Sequence, residues 1–250
     1  MAEQLSFQLE PALPRPGDVA PMWPVPCPDP FDSPDHLFEP TWGGHRVLAF
    51  VEPSERARDG AVRLVDPSGL DLAERFPELA GLAVRIDARS AVLDGELVVV
   101  DVNGRADDDA LRDRLAGRPG RPAAYLVFDL LHLDGRWLLG LPLEKRRALL
   151  RRVLRPGDEV VVVPAIAGEG IALHGAVSAQ GIAGVLARRR TSPYLPGTRS
   201  RLWRSIAAGA PGETVKAADD GHGQELPETG TAPVLALFRR LPFEESEAAP

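Results

Sequence analysis

Only one cysteine, Cys27, occurs in the 250 residues, which excludes an intrachain disulfide and suits a reducing compartment. Lysine is nearly as scarce: Lys145 and Lys216 are two of 29 basic residues, the rest being arginine. No apolar run approaches the length of a membrane span. The first ten residues, Met-Ala-Glu-Gln-Leu-Ser-Phe-Gln-Leu-Glu, lack the basic and apolar regions of a signal peptide. The expectation is a soluble, cytoplasmic protein with no membrane partner. His36, His45, His132, His174 and His222 have no metal-ligand spacing and read as structural or exposed. Internal repeats are missing as well.

What is present is ordinary core material and an uneven charge. Hydrophobic residues make up 44%, as in a typical globular protein. Of the formal net charge of −7, residues 207–250 carry −5, with eight acids against Lys216, Arg239 and Arg240. Residues 183–206 hold no acid but six arginines, Arg188, Arg189, Arg190, Arg199, Arg201 and Arg204. Such a strip is either a solvated basic sheet edge or a surface for a nucleic-acid backbone, with Tyr194 and Trp203 available for apolar contact. Three regions are therefore expected: a Pro-rich extended arm over 1–20, a folded unit over 21–207 and an acidic tail over 208–250. The tail reads as disordered, apart from an apolar segment at 234–243.

Between these ends, hydrophobic spacing predicts a hairpin from strands 45–52 and 61–66, then a helix over 72–86 weakened by Pro77 and Gly81. A short polar helix over 107–115 and a strand over 124–132 follow. Residues 143–154 give the clearest helix, with Leu143, Leu150 and Leu154 on one stripe and cations opposite. A strand over 159–163, a helix over 170–180 and strands over 183–190 and 201–206 complete the pattern. Asp107-Asp108-Asp109 looks like a metal cluster, although a solvated helix start explains it more simply.

The stretch Ser90 to Asp101 supports two readings. Asp94-Gly95 between apolar runs is a strong local hairpin signal. Alternatively one strand runs through, with Gly95 placed where another backbone or a ligand comes close. Glu96 separates them, because a carboxylate inside a buried strand is costly unless something pairs with it.

Four motifs bear on this choice. Residues 39–46 read Glu-Pro-Thr-Trp-Gly-Gly-His-Arg, 93–96 read Leu-Asp-Gly-Glu, 128–135 read Phe-Asp-Leu-Leu-His-Leu-Asp-Gly, and 183–188 read Ala-Gly-Val-Leu-Ala-Arg. Beyond them stands Ser192-Pro-Tyr-Leu-Pro-Gly-Thr-Arg-Ser-Arg-Leu-Trp203. In order and spacing, this set resembles the adenylation domain of bacterial ATP-dependent DNA ligases over roughly residues 20–207. The resemblance implies an α+β nucleotidyltransferase fold, with antiparallel sheets, flanking helices and a central cleft. It also favours the continuous strand at Gly95. By resemblance, Phe128 would stack on adenine, Glu96 would hold the ribose, Glu39 and Arg46 would line the nucleotide site, and Arg188 would contact the α-phosphate. ATP and Mg²⁺ are the cofactors it implies, and DNA or a DNA-repair protein the partner.

The departures fall on the chemistry. The family's nucleophilic motif I lysine, which carries AMP as a phosphoramidate, is Thr41 here; a hydroxyl cannot form that intermediate. Its motif I aspartate is Gly43, and its metal-binding motif IV glutamate is Ala183. Both lysines of its final motif are absent from Trp203-Arg-Ser-Ile-Ala207, and Lys145 and Lys216 match no motif. The family's OB-fold is not expected from the residues after Ala207. Two functional classes follow. One is a degenerate, non-adenylating binding module for DNA, a nucleotide or a repair partner, with ATP and Mg²⁺ binding weak or lost. The other is a working ligase using an unorthodox nucleophile or a partner subunit.

Overall fold

The computed structural model describes residues 14–52, 61–208 and 231–243. Among these described residues, eleven strands form two sheets. The first sheet has the order β1-β11-β10-β2-β9, built from β1 (Trp23–Pro26), β2 (Ser33–Thr41), β9 (Ile166–Gly168), β10 (Gly184–Arg189) and β11 (Arg199–Ala207). The second has the order β4-β3-β5-β6-β7 with β8 also on β6. Its strands are β3 (His45–Val51), β4 (Val62–Val65), β5 (Ala91–Val98), β6 (Ala124–Leu133), β7 (Arg136–Trp137) and β8 (Val160–Val162). Pairing is antiparallel except at β1/β11 and β6/β8, which are parallel. Helices α1 (Leu82–Arg85), α2 (Asp108–Leu115), α3 (Leu143–Val153), α4 (Gly170–Gln180) and α5 (Ala232–Phe238) flank them. None of these helices is long and apolar enough to cross a membrane.

Alternation along the second sheet divides the interior. Val47, Ala49, Leu93, Leu97, Tyr125 and Val127 face outward, under Leu79, Leu82, Leu111, Leu150 and Val153 from the helical layer. Leu126 and Phe128 pack toward the first sheet's Val185, Ala187 and Ile206, with Leu173 and Val177 of α4 and Leu237 and Phe238 of α5. Val92 and Leu131 join Trp203, Tyr194 and Met22 in a third cluster.

Several elements differ from the sequence reading. The folded unit begins with a strand that the apolar spacing did not show, β1, an edge strand whose prolines are tolerated because one side of it has no ladder to feed. Region 72–86 buries its expected apolar positions, yet it does so through 3₁₀ turns at Ala73–Arg75 and Pro77–Gly81 before α1. Pro77 brings no N–H, so an α-helix cannot run through it. Asp107 caps α2, accepting from the Ala110 amide at 2.9 Å. The apolar tail segment forms α5, whereas 209–230 and 244–250 lie outside the described residues.

The Asp94-Gly95 stretch is a continuous strand. A Cβ on Gly95 would stand 2.4 Å from the Leu126 carbonyl oxygen and 2.7 Å from the Tyr125 ring, so glycine lets β5 and β6 approach. Replacing it forces backbone apart rather than a flexible side chain. Gly95→Ala is therefore expected to cost about 1–3 kcal/mol in urea unfolding; an unchanged midpoint would show that β6 yields freely.

Candidate functional site

The space between the sheets is lined by charge. A β-bulge begins the arrangement. Across β5/β6, Asp94 pairs with Asp129 and Gly95 with Val127, so Phe128 is the extra residue. Without the bulge, strict alternation would send Phe128 and Asp129 to opposite faces. With it, both side chains meet Arg188, whose guanidinium lies 5.2 Å from the Phe128 ring and donates to Asp129 Oδ2 at 3.0 Å.

Arg188 also donates to both oxygens of Glu39 at 2.7 Å and to the Phe128 carbonyl at 2.7 Å. Its registry is set by β10/β2 pairing, which places it one strand away and two positions along from Glu39. Arg147 of α3 reaches the same carboxylate and donates to the Val163 carbonyl at 2.9 Å. Arg146, its neighbour, grips Asp129 through two bonds of 2.8 and 2.9 Å. On the other side, Arg46 holds Asp94 through two bonds of 2.6 Å, and the Tyr194 hydroxyl donates to Asp94 at 2.7 Å. Two guanidiniums lie against Phe128, with Arg46 centred 4.5 Å and Arg188 5.2 Å from its ring.

Glu96 closes the motif I loop. Its carboxylate accepts the amides of Trp42 at 2.9 Å and Gly44 at 3.0 Å, and the Thr41 hydroxyl sits 3.2 Å from both oxygens. At the neighbouring positions, a Cβ built on Gly43 would stand 3.4 Å from that of Ala183. The two places where the resembled family carries acids are thus adjacent, and both are filled by small apolar residues.

Burial and partners set the protonation states. Burial opposes charge on Arg188 and Arg46, but Glu39 and Asp129 for the first and Asp94 for the second hold each above the ordinary arginine value. Burial alone would raise the Asp129 carboxyl, yet Arg146 and Arg188 bring it below the usual aspartate value. For Glu96 burial prevails over the loop amides, the Thr41 hydroxyl and Arg46, and its pKa is raised. Among the described residues, four carboxylates (Glu39, Asp94, Glu96, Asp129) face four guanidiniums (Arg46, Arg146, Arg147, Arg188), and their formal charges cancel.

The structure therefore brings Glu39, Arg46, Glu96, Phe128, Arg188 and Thr41 together. It does not keep the arginine strip whole. Arg188 is fully buried, and Arg204 lies over the Phe31 ring, half-buried. Arg189, Arg199 and Arg201 are exposed, Arg190 half-exposed beside Glu144 at 3.2 Å. Tyr194 and Trp203 are buried in the third core cluster and present no outward face for nucleic acid. Sequence reasoning assigned no role to Asp94, Asp129, Arg146 or Arg147. For the last two a signal existed: positions 146 and 147 fall between Leu143 and Leu150 on the buried stripe of α3.

Because Glu39 serves two buried guanidiniums, Glu39→Gln should destabilise the fold by about 3–5 kcal/mol, the usual cost of breaking a buried pair from one side. Thermal or urea unfolding measures it. A loss below about 1 kcal/mol would mean that water or a rearranged acid replaces the carboxylate.

In sequence and fold the chain is similar to known proteins. The family model described as ATP dependent DNA ligase domain matches residues 29–206. The chain is 38% identical over 166 residues to the multifunctional non-homologous end joining DNA repair protein LigD of Mycobacterium tuberculosis, covering 66% of this chain and 21% of the relative. It is 25% identical over 189 residues to the SPbeta prophage-derived DNA ligase-like protein LigB of Bacillus subtilis, covering 75% of this chain and 67% of that one. The chain thus spans about a fifth of the LigD relatives' length. Among solved structures it is similar to mycobacterial DNA ligase D complexed with ATP and MES, with a TM-score of 0.64 and 32% identity over 76% of this chain and 60% of that chain. With the motifs in order along a matching fold, this chain belongs to the ATP-dependent DNA ligase family, as an adenylation-domain homologue.

Proposed function

We propose that this ligase-family domain does not transfer AMP and acts as a binding module in DNA repair, on DNA or on a repair protein. The observation that carries the reading is the closed charge network around Phe128. A triphosphate needs uncompensated cations and its metal needs carboxylates. Here Arg46 and Arg188 are bound to Asp94, Glu39 and Asp129, and their guanidiniums flank the ring on which adenine would stack. Thr41 hydrogen bonds to Glu96, and Gly43 and Ala183 supply no oxygen donors from their side chains. The residues present do not fit ATP and Mg²⁺, so no nucleotidyl transfer step is drawn through them. Lys145 offers no substitute amine, being exposed on the charged side of α3.

Incubation with labelled ATP and Mg²⁺ should give no covalent AMP adduct, and calorimetry should find ATP binding weaker than roughly micromolar, about −8 kcal/mol. Thr41→Lys alone should not restore transfer, because the groups of such a site act as a unit. A stable adduct on the unaltered protein would instead support a working ligase with an unorthodox nucleophile or a partner subunit.

The DNA arm of the proposal rests on four arginines, Arg189, Arg190, Arg199 and Arg201. Three are already engaged, Arg190 with Glu144 at 3.2 Å, Arg189 with Asp35 at 3.9 Å and Arg199 with the Pro24 carbonyl at 2.6 Å. With two to four phosphate contacts, log K should fall against log salt with a slope of about −2 to −3.5, at about 0.9 per contact. Binding should be non-specific, since no base-reading element accompanies these side chains among the described residues. Salt-insensitive or absent affinity for nicked and intact duplex would leave the repair-protein arm alone.

A further inference from the structure

Residues 231–243 return to the body of the domain after the 22 residues at 209–230. Thr231 fixes the return: its amide donates to the Asp158 carbonyl at 3.0 Å and its hydroxyl to that of Gly157 at 2.8 Å. Pro233 lies in the first turn of α5, where a missing N–H costs nothing. Beyond it Val234, Leu237, Phe238 and Leu241 are buried at i, i+3, i+4 and i+7, while Arg239 and Arg240 are exposed. This is the pattern by which an amphipathic helix occupies an apolar groove.

The groove belongs to the motif I loop. Gly104 makes room for the helix, since a Cβ there would come 2.5 Å from the Pro233 carbonyl oxygen and 2.8 Å from the Leu237 side chain. The Trp42 indole N–H donates to the Gly104 carbonyl at 2.8 Å, and the Phe238 and Trp42 rings meet edge to face, with centroids 5.6 Å apart at 83°. Trp42 adjoins Thr41, and its own amide is held by Glu96. Helix, indole and carboxylate thus form one contiguous run of contacts ending at Thr41.

We propose that residues 231–243 are a cis-acting strap, which seats Trp42 and thereby holds the loop 41–44 closed on Glu96. The inference deepens the reading of this loop as a closed, non-adenylating site, and its test reads the loop rather than ATP. In the full chain, Leu237→Asp places a carboxylate in the apolar groove and should release the helix. Hydrogen exchange at the Trp42 and Gly44 amides and the Trp42 indole should then accelerate by on the order of tenfold or more, while amides of the β5/β6 ladder keep their protection. Arg240→Asp, on the exposed side, should change nothing. If Leu237→Asp fails to fold, Leu237→Ala should give a smaller acceleration at the same sites, slowed again by added peptide 231–243. The strap is overturned if α5 amides exchange freely while the loop stays protected, or if exchange rises equally across both sheets. AMP transfer by a strap-released variant would overturn the non-adenylating reading and leave the strap standing.

Discussion

An ionised side chain removed from water costs several kcal/mol unless its donors or lone pairs are met, and this chain removes eight at once from bulk solvent between two sheets. Every other feature of the interior accommodates that requirement. The bulge at Phe128 turns Asp129 toward Arg146 and Arg188. The α3 helix presents two consecutive arginines to the interior, so that one reaches Asp129 and the other Glu39. Asp94 and Glu96, two apart on β5, share one face by alternation, and Gly95 between them lets β5 approach β6. Removing one partner leaves a charge with no solvent to return to, so the network confers geometric uniqueness as much as net stability.

The same network frames the functional reading. Arginine at position 188 forms a planar fork that suits a phosphate as well as a carboxylate. In this chain the fork is spent on Glu39, and its face lies against Phe128 and Trp203. Glu96, whose role by resemblance would be toward the ribose, is turned to backbone amides of the motif I loop. These contacts are mutually supporting, so Thr41, Gly43 and Ala183 adjoin a site that satisfies itself internally. That coherence favours a binding module over an enzyme with one altered residue.

Strand alternation buries Arg188 and leaves Arg189 outside, so the basic strip is thinner than its composition suggests. The α5 helix covers apolar surface beside motif I, which ties the far end of the chain to the loop that carries Thr41.

The sequence by itself determined the family, most strand and helix positions and the list of motif residues, because these are carried by local patterns: apolar periodicity, turn chemistry and fixed motif spacing. By resemblance it also placed Thr41, Gly43 and Ala183 at the positions of the motif I lysine and two acids. Tertiary structure alone decided what the surviving polar residues do. Glu39 and Arg147 are 108 positions apart, and Glu39 and Arg188 are 149 apart. No local pattern joins them, and a one-residue change of register or the absence of one bulge would turn each to another face. Arg146 and Arg147 read as a solvated face because charge in a helix is usually outside; they are inside because Asp129 and Glu39 wait there. The role of 234–243 was equally hidden, since an apolar helix in an acidic tail acquires a meaning only when Trp42 and Gly104 supply its groove.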